Sequence, residues 1–210
     1  MKIVTVLVTR SKSCHVKTLH AILKLNIKCI QKKLDNKIMY VDDDPLMKAE
    51  LIQALMKLYD RIIFIDFGIG VDDASIDEFL NEHDNLGCMV FPGVREGIDW
   101  KLFKKGIEEG SSEPHNQMGL HFDTDVTKKI SKDIYNVQNT NARVWIMNTK
   151  NVIKHIRDKK TGHWKIYPKM FEKFKEQGVR IYAFTASKLT ITYTHECISN
   201  IINSASVKVG

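Results

Sequence analysis

The sequence predicts an α/β protein whose central, mostly parallel mixed sheet is flanked by helices. Three observations support this fold class. Short, uninterrupted apolar runs at residues 3–8 and 62–65 are typical of strands that are buried on both faces. Apolar residues also recur at helical spacing, as at Val16, Leu19 and Ile22. Strand and helix patterns alternate over the first ninety residues, which is typical of a sheet with helices on its faces.

The predicted elements follow the order β-α-β-β-α-β-α-β through residues 3–91. In the second helix, Asp44 is the expected N-cap and Pro45 the first residue, because proline needs no hydrogen-bond partner for its nitrogen there. The stretch Asp72 to Ser75 is expected to cap the third helix. The strands of this half are predicted at residues 3–8, 27–30, 38–41, 62–65 and 88–91. The inward-facing residues of the second helix are predicted to be Met47, Leu51, Leu55 and Leu58.

Residues 92–142 are rich in glycine, proline and serine, and they show weak apolar periodicity. We expect a long irregular segment with one or two short helices, of the kind that forms lids or substrate loops. Regular structure resumes after this segment. Strands are predicted at residues 142–147, 179–184 and 190–194, and helices at 152–156, 168–178 and 197–202.

Composition limits the possible classes of function but does not identify one. The 210 residues carry 32 Lys+Arg against 25 Asp+Glu, a net charge of +7, which suits phosphates, nucleotides or nucleic acid as partners. The four cysteines show no CxxC spacing, which favours free thiols in a reducing compartment. No apolar run approaches the roughly 18 residues of a membrane span, so we expect a soluble cytoplasmic protein.

Polar residues follow three of the predicted strands: Thr9-Arg10, Asp42 to Asp44, and Asp66. Strands that run in the same direction bring such ends to one edge of a sheet, which is where open α/β sheets bind ligands. Asp66 is followed by Phe67 and Gly68, and the glycine would allow a ligand to approach the backbone closely. The alternative is that Asp66 only caps the next turn.

Several enzyme classes are excluded by missing motifs. The chain contains neither G-x-G-x-x-G after its first strand nor the P-loop pattern, so a dinucleotide dehydrogenase and a P-loop enzyme are disfavoured. The triplet Asp66-Phe67-Gly68 spells the kinase DFG, but no glycine-rich loop and no kinase catalytic loop accompany it. Cysteine and histidine lack the paired spacing of zinc sites.

Hard oxygen ligands favour Mg²⁺ or Mn²⁺ shared with a diphosphate, and a late histidine, His195, could complete the coordination. The candidate carboxylates are Asp42, Asp43, Asp44, Asp66, Asp72, Asp73, Asp123 and Asp125. His195 could equally be an ordinary surface residue. Lysine pairs such as Lys128-Lys129 leave a basic phosphate- or nucleic-acid-binding module without catalysis as the alternative function.

The order of elements, with Thr9-Arg10 after the first strand and Asp66-Phe67-Gly68 after a later one, resembles a GT-A glycosyltransferase. Residues 91–100, 119–125 and 183–197 make the chain similar, more specifically, to the amino-terminal glycosyltransferase domain of chlorovirus-encoded multidomain proteins. The resemblance covers most of the chain. It implies a single domain over residues 1–210, with a nucleotide-sugar-binding half (1–91) and an acceptor-side half (92–210), as the N-terminal part of a longer chain.

The resemblance also implies an activity: metal-dependent transfer of a hexose from a nucleotide diphosphate sugar, with UDP expected, to a glycan hydroxyl. The product would be a viral glycoprotein glycan made in the host cytoplasm, with no nucleic acid and no membrane span involved. Asp66 and His195 are expected to hold Mn²⁺ or Mg²⁺. The expected donor-binding residues are Thr9, Arg10, Asp66, Phe67, Gly68 and Lys188.

The chain departs from the family at position 68, where glycine replaces the second carboxylate of the D-x-D motif. Asp42 to Asp44 are the alternative candidates for the missing carboxylate. The literal D-x-D at Asp123-Thr124-Asp125 is assigned to the acceptor side. If the anomeric centre inverts, a carboxylate must accept the acceptor's proton, and the candidates are Asp123, Asp125 and Glu113; retention would need no such base.

Overall fold

The computed structural model describes residues 1–83, 85–95, 98–112 and 118–191. Its strands are β1 (Lys2–Thr9), β2 (Asp35–Asp42), β3 (Arg61–Ile65), β4 (Ile69–Gly70), β5 (Cys88–Val90), β6 (Thr124–Ser131), β7 (Ile134–Thr140), β8 (Val144–Asn148), β9 (Ile181–Phe184) and β10 (Thr190–Ile191). Its helices are α1 (Val16–Gln31), α2 (Pro45–Leu55), α3 (Asp73–Leu80), α4 (Trp100–Glu108), α5 (Thr149–Ile156) and α6 (Met170–Glu176).

Eight of these strands form one sheet in the order β2-β1-β3-β8-β5-β9-β7-β6. The strands β2, β1 and β3 are parallel to one another, as are β5 and β9, whereas β8 pairs antiparallel with both β3 and β5. The pairs β7–β9 and β6–β7 are also antiparallel, so β8 and β7 oppose the other six strands. The predicted mostly parallel mixed sheet is confirmed. The strands β4 and β10 form a separate antiparallel pair.

The central strands of the sheet are buried on both faces, and their successive residues belong alternately to two hydrophobic clusters. In β3, Ile62 and Phe64 pack with residues of α2, α5 and α6, whereas Ile63 and Ile65 pack with residues of α1 and α3. All five residues of this strand are buried. Because both faces of the sheet are covered, residues 62–65 are all apolar, and the strand has an uninterrupted apolar run in the sequence.

Helix α2 begins as predicted. The Asp44 side chain accepts hydrogen bonds from the amides of Leu46 and Met47, and Pro45 occupies the first turn. The predicted inward face is partly wrong: Met47 and Leu58 are exposed. The buried residues of the helix are Ala49, Ile52 and Leu55.

The strand predicted at residues 27–30 is wrong, because these residues form the last turns of α1. β-Branched isoleucines suggest a strand locally, but burial decides the outcome. Ala21, Leu25 and Cys29 lie four residues apart and are all buried, so the helical stripe continues through the segment. Ile27 and Ile30 are exposed on the outer face.

The segment 92–142 contains a short helix, α4, as predicted. It is wrong as an otherwise irregular segment, because it also contains a hairpin of β6 and β7 that extends the main sheet. In β6, every residue after Thr124 is exposed, and the pairing with β7 is interrupted by several register shifts. A strand with so little buried surface lacks the apolar run from which the other strands were predicted.

Candidate functional site

The carboxyl ends of β1, β2 and β3 lie at one edge of the sheet, as predicted, because the three strands are parallel and in register. Thr9 is paired with Asp42, and Leu7 with Ile65. The Thr9 side chain is buried, and its hydroxyl lies 3.2 Å from both the Val41 carbonyl oxygen and Asp42 Oδ1. Thr9 therefore links two strand ends at this edge.

Asp43 lies between two cations beside this edge. Its Oδ2 accepts a hydrogen bond of 2.8 Å from Arg10 Nε, and its Oδ1 one of 2.7 Å from Lys48 Nζ. Partial burial raises the pKa of Asp43, but the hydrogen bonds and charges of Lys48 and Arg10 outweigh it, so the pKa lies below its ordinary value. The Arg10 guanidinium also lies 5.0 Å from the centre of the Phe67 ring.

Asp66 follows β3 directly and is held by backbone contacts. Its amide donates to the Arg143 carbonyl oxygen at 2.9 Å, and its Oδ1 accepts from the Phe67 amide at 2.9 Å. Burial raises the pKa of Asp66, while the Phe67 hydrogen bond and the charge of Lys48 partly offset that effect. A carboxyl that is costly to ionise, at the end of a rigid strand, is a candidate functional group.

Asp66 lines a cavity of about 260 Å³ whose wall includes Lys48 and Arg143. The apolar part of this wall includes Phe64 and Trp145, whose rings stack with centroids 4.8 Å apart and nearly parallel planes. Both aromatic residues belong to the core. The cavity therefore has a packed floor on which a carboxylate and two cations are positioned.

Gly68 has φ 75°, a left-handed conformation that glycine adopts without strain and that aspartate adopts at a cost. The turn after β3 is thus built around the glycine that replaces the second acid of the D-x-D motif. The chain has no carboxylate at this position.

Arg143 is a candidate site residue that the sequence did not indicate, and it lines the Asp66 cavity. Strand β8 runs antiparallel to β3, with Val144 opposite Ile65, so the residue before β8 lies beside Asp66. The Arg143 side chain donates a 3.4 Å hydrogen bond from Nη2 to the Val94 carbonyl oxygen. An arginine just before a buried apolar run was the available signal, but the sequence alone does not give the direction of that strand.

Asp123 is buried immediately before β6, and only 4% of its surface is exposed. Its Oδ1 accepts hydrogen bonds from the Gly93 amide at 3.1 Å and the Thr124 hydroxyl at 2.8 Å. Its Oδ2 is buried and has no hydrogen-bond partner among the residues that the structure describes. Burial raises the pKa of Asp123, and the bonds from Thr124 and Gly93 partly offset this.

Asp123 lines a second cavity, of about 240 Å³, together with Arg95, Asn141 and Arg143. Asn141 and Arg143 also line the cavity that holds Asp66. The cavities of the half-buried Asp66 and the buried Asp123 thus have two lining residues in common, one of which is an arginine.

The remaining predicted site residues lie elsewhere. Asp125 is exposed in β6, opposite Asn139. Lys188 is exposed, its amide donates to Asp72 Oδ1 at 3.0 Å, and it lines a different cavity, beside the start of α1. His195 and Glu113 lie outside the described residues.

The described residues do not form a ligand set for a protein-held metal ion. No group of three or more His, Cys, Asp or Glu is placed to share an ion within the described ranges. The alternative candidates for the missing carboxylate are engaged: Asp43 bonds two cations, and Asp44 Oδ1 caps α2. Asp42 Oδ1 lies within hydrogen-bonding distance of the Thr9 hydroxyl. In the cavity that Asp66 lines, this residue alone would offer Mg²⁺ or Mn²⁺ a carboxylate. One carboxylate is fewer ligands than an all-protein metal site supplies.

None of the helices in the described part of the chain combines the length and apolar character needed to cross a membrane.

No protein-family model and no curated protein matches the chain. Among solved structures, the chain is similar to GalNAc-T7 with UDP, GalNAc and Mn²⁺, with a TM-score of 0.49 and 13% identity over 91% of this chain and 44% of that one. It is similar to a mutant of Drosophila β-1,4-galactosyltransferase 7 in complex with manganese, UDP-Gal and xylobiose, with a TM-score of 0.47 and 10% identity over 94% and 74% of the two chains.

A third similar structure is a glycosyltransferase involved in the glycosylation of the major capsid of PBCV-1. Its TM-score is 0.42, and its identity is 10% over 88% of this chain and 82% of that one. The chain spans less than half the length of the GalNAc-T7 chain. These three structural neighbours are glycosyltransferases.

Proposed function

We propose that the chain is a glycosyltransferase that moves a sugar from a uridine diphosphate sugar to a hydroxyl of a glycan. One observation carries the proposal: two carboxyls, the half-buried Asp66 and the buried Asp123, line two cavities that share Arg143. Inverting sugar transfer needs positive charge where the diphosphate leaves and a proton acceptor where the hydroxyl attacks. The two cavities offer these chemical features side by side.

The donor side of the proposed site is the edge formed by the ends of β1, β2 and β3. Thr9, Arg10, Asp66, Phe67 and Gly68 all lie at this edge, and Arg10 is fixed by Asp43 and by the Phe67 ring. An edge of parallel strand ends is the usual ligand site of open α/β sheets. Lys188 is not part of the proposed donor side, because it lies with Asp72.

The acceptor side is the Asp123 cavity. The acceptor hydroxyl oxygen attacks the anomeric carbon, the bond from that carbon to the diphosphate oxygen breaks, and its electron pair leaves with UDP. Asp123 Oδ2 takes the hydroxyl proton. A single displacement of this kind inverts the anomeric configuration. Asp123 is the better base of the two predicted carboxylates, because its Oδ2 is buried and unpartnered among the described residues, whereas Asp125 is exposed.

The sequence resemblance implies Mn²⁺ or Mg²⁺ beside the leaving diphosphate, but among the described residues Asp66 alone would offer such an ion a carboxylate. The resemblance to chlorovirus domains supports a glycan of a viral glycoprotein as the acceptor, in the host cytoplasm.

The proposal is tested by thermal melts of the purified 210-residue chain with UDP, GDP, CDP and a panel of their sugars, followed by assays of UDP release with glycan acceptors. A ligand at about 100 times its Kd should stabilise the fold by about 2.7 kcal/mol, which is roughly 5–11 °C for a domain of this size. Stabilisation by uridine nucleotides above the others is the expected result. No stabilisation by any nucleotide, with tight and steeply salt-dependent binding of an oligonucleotide instead, would establish the basic-module alternative.

A further inference from the structure

Three basic side chains lie at or beside the edge that holds Asp66. Lys48 and Arg143 line the Asp66 cavity itself. Arg10 lies alongside and shares Asp43 with Lys48. A divalent metal in such a site would have to compete with fixed cations, whereas an anionic ligand would be attracted by them.

Arg143 is placed by the backbone, so its position does not depend on a flexible loop alone. Its carbonyl oxygen accepts the Asp66 amide at 2.9 Å, and Val144 follows in the pairing with β3. Its side chain reaches Val94 on the Asp123 side. Arg143 is therefore a cation that lines both the proposed donor cavity and the proposed acceptor cavity.

Lys48 belongs to α2 and also lines the Asp66 cavity. Its Nζ contacts Asp43 at 2.7 Å, and only 20% of its side chain is exposed. A lysine held by one carboxylate keeps two further N–H groups that can donate to a phosphate. Arginine presents a planar pair of N–H donors that matches the oxygens of a phosphate.

We propose that Arg143 and Lys48 bind the donor's diphosphate directly, and that the nucleoside diphosphate therefore binds without a divalent metal. This inference rests on the proposed function. The two cations take the place of the metal that a second carboxylate at position 68 would help to hold. Asp66 then lies next to a bound anion as a like charge, which gives a prediction opposite in sign to that of a metal ligand.

The experiment is calorimetric titration of UDP into the 210-residue chain, once with EDTA and once with Mn²⁺. Wild-type Kd should agree within about threefold between the two conditions. Arg143→Gln and Lys48→Gln should each weaken UDP binding about 10- to 100-fold in EDTA, as expected for loss of a charged hydrogen bond. Asp66→Asn should leave the affinity unchanged or increase it.

Lys24→Gln is the matched control, because it removes the same charge from α1, on the other face of the sheet, where Lys24 pairs with exposed Asp73. It should change the UDP Kd by less than about twofold, since its surface charge is screened. Arg143→Lys keeps the charge and should recover part of the lost affinity. Thermal melts without ligand identify any variant that fails to fold. If Arg143→Gln fails to fold, the UDP affinity of Arg143→Lys is compared with that of the wild type instead.

UDP binding that requires Mn²⁺, disappears in Asp66→Asn and is unchanged in Arg143→Gln would overturn the inference while leaving the proposed function intact. Failure of UDP to bind in either condition would instead reject the proposed function.

Discussion

Replacing Asp123 by asparagine separates proton transfer from donor binding, and replacing Asp125 provides the control. The two carboxyls are two residues apart at the start of β6, but Asp123 is buried and Asp125 is exposed. In Asp123→Asn, the amide oxygen can still accept the hydrogen bonds from the Gly93 amide and the Thr124 hydroxyl. The change therefore removes the proton-accepting oxygen while preserving the local contacts.

A positioned general base typically contributes about 10²- to 10⁴-fold to a rate. At about 1.36 kcal/mol per tenfold, the barrier should rise by roughly 2.7–5.4 kcal/mol in Asp123→Asn. Asp125→Asn should retain transfer to within about twofold, as is usual for an exposed surface substitution. Because neither residue is assigned to the donor side, the affinity for UDP should stay within about threefold in both variants.

The pH profile gives a second readout of the same residue. Burial raises the pKa of Asp123. A base must be ionised to accept a proton, so kcat/KM should fall as pH decreases through this raised pKa, at a higher pH than for an ordinary aspartate. The residual activity of Asp123→Asn should lack this limb of the profile.

The measurements are initial rates of UDP release with donor and acceptor, UDP titration, and a thermal melt of each variant. The reasoning is refuted if Asp123→Asn folds, binds UDP and transfers sugar within tenfold of the wild-type rate. A large loss of activity in Asp125→Asn alone would refute it equally. A product that retains the anomeric configuration, with activity independent of Asp123, would show that no base is required.

Other predictions concern stability and reactivity. Arg61 is buried, and its Nη1 donates hydrogen bonds of 2.7 and 2.8 Å to two carbonyl oxygens at the end of α3, so Arg61→Leu should lower the free energy of unfolding by about 3 kcal/mol. Thermal unfolding should show this as a fall in Tm of roughly 6–12 °C, and an unchanged Tm would contradict it. Burial raises the pKa of the Cys88 thiol, whereas Cys14 is partly exposed. Mass spectrometry after brief native alkylation should therefore find label on Cys14 but not on Cys88; labelling of both at equal rates would be the contrary result.

The sequence predicted the fold class well where burial determines the pattern. The apolar runs of β1 and β3 were recognised because both faces of these strands are covered. The same rule explains the error at residues 27–30, where a local β-branched pattern was outweighed by the buried stripe of α1. It also explains why β6 was missed, since an exposed strand has no apolar run to recognise.

The site was predictable only where it depends on parallel strands. Thr9 and Asp42 are the last residues of β1 and β2, Asp66 follows β3 directly, and parallel pairing alone brings all three to one edge. Arg143 precedes an antiparallel strand, and it reaches that edge from a position about eighty residues further along the chain. Strand direction is set by the packing of the whole sheet, so no local pattern could have paired Arg143 with Asp66.

The interrupted pairing of β6 has a consequence for how the protein behaves at high concentration. An open sheet ends in a strand whose outer N–H and C=O groups can pair with another chain, and such edges are a common start of aggregation. In β6 the register shifts fall between Asp125 and Ser131, and Lys128 and Lys129 lie among them. A kinked and charged strand is a poor template for a neighbouring molecule. The register shifts and the lysines of β6 thus protect that edge of the sheet from intermolecular strand pairing.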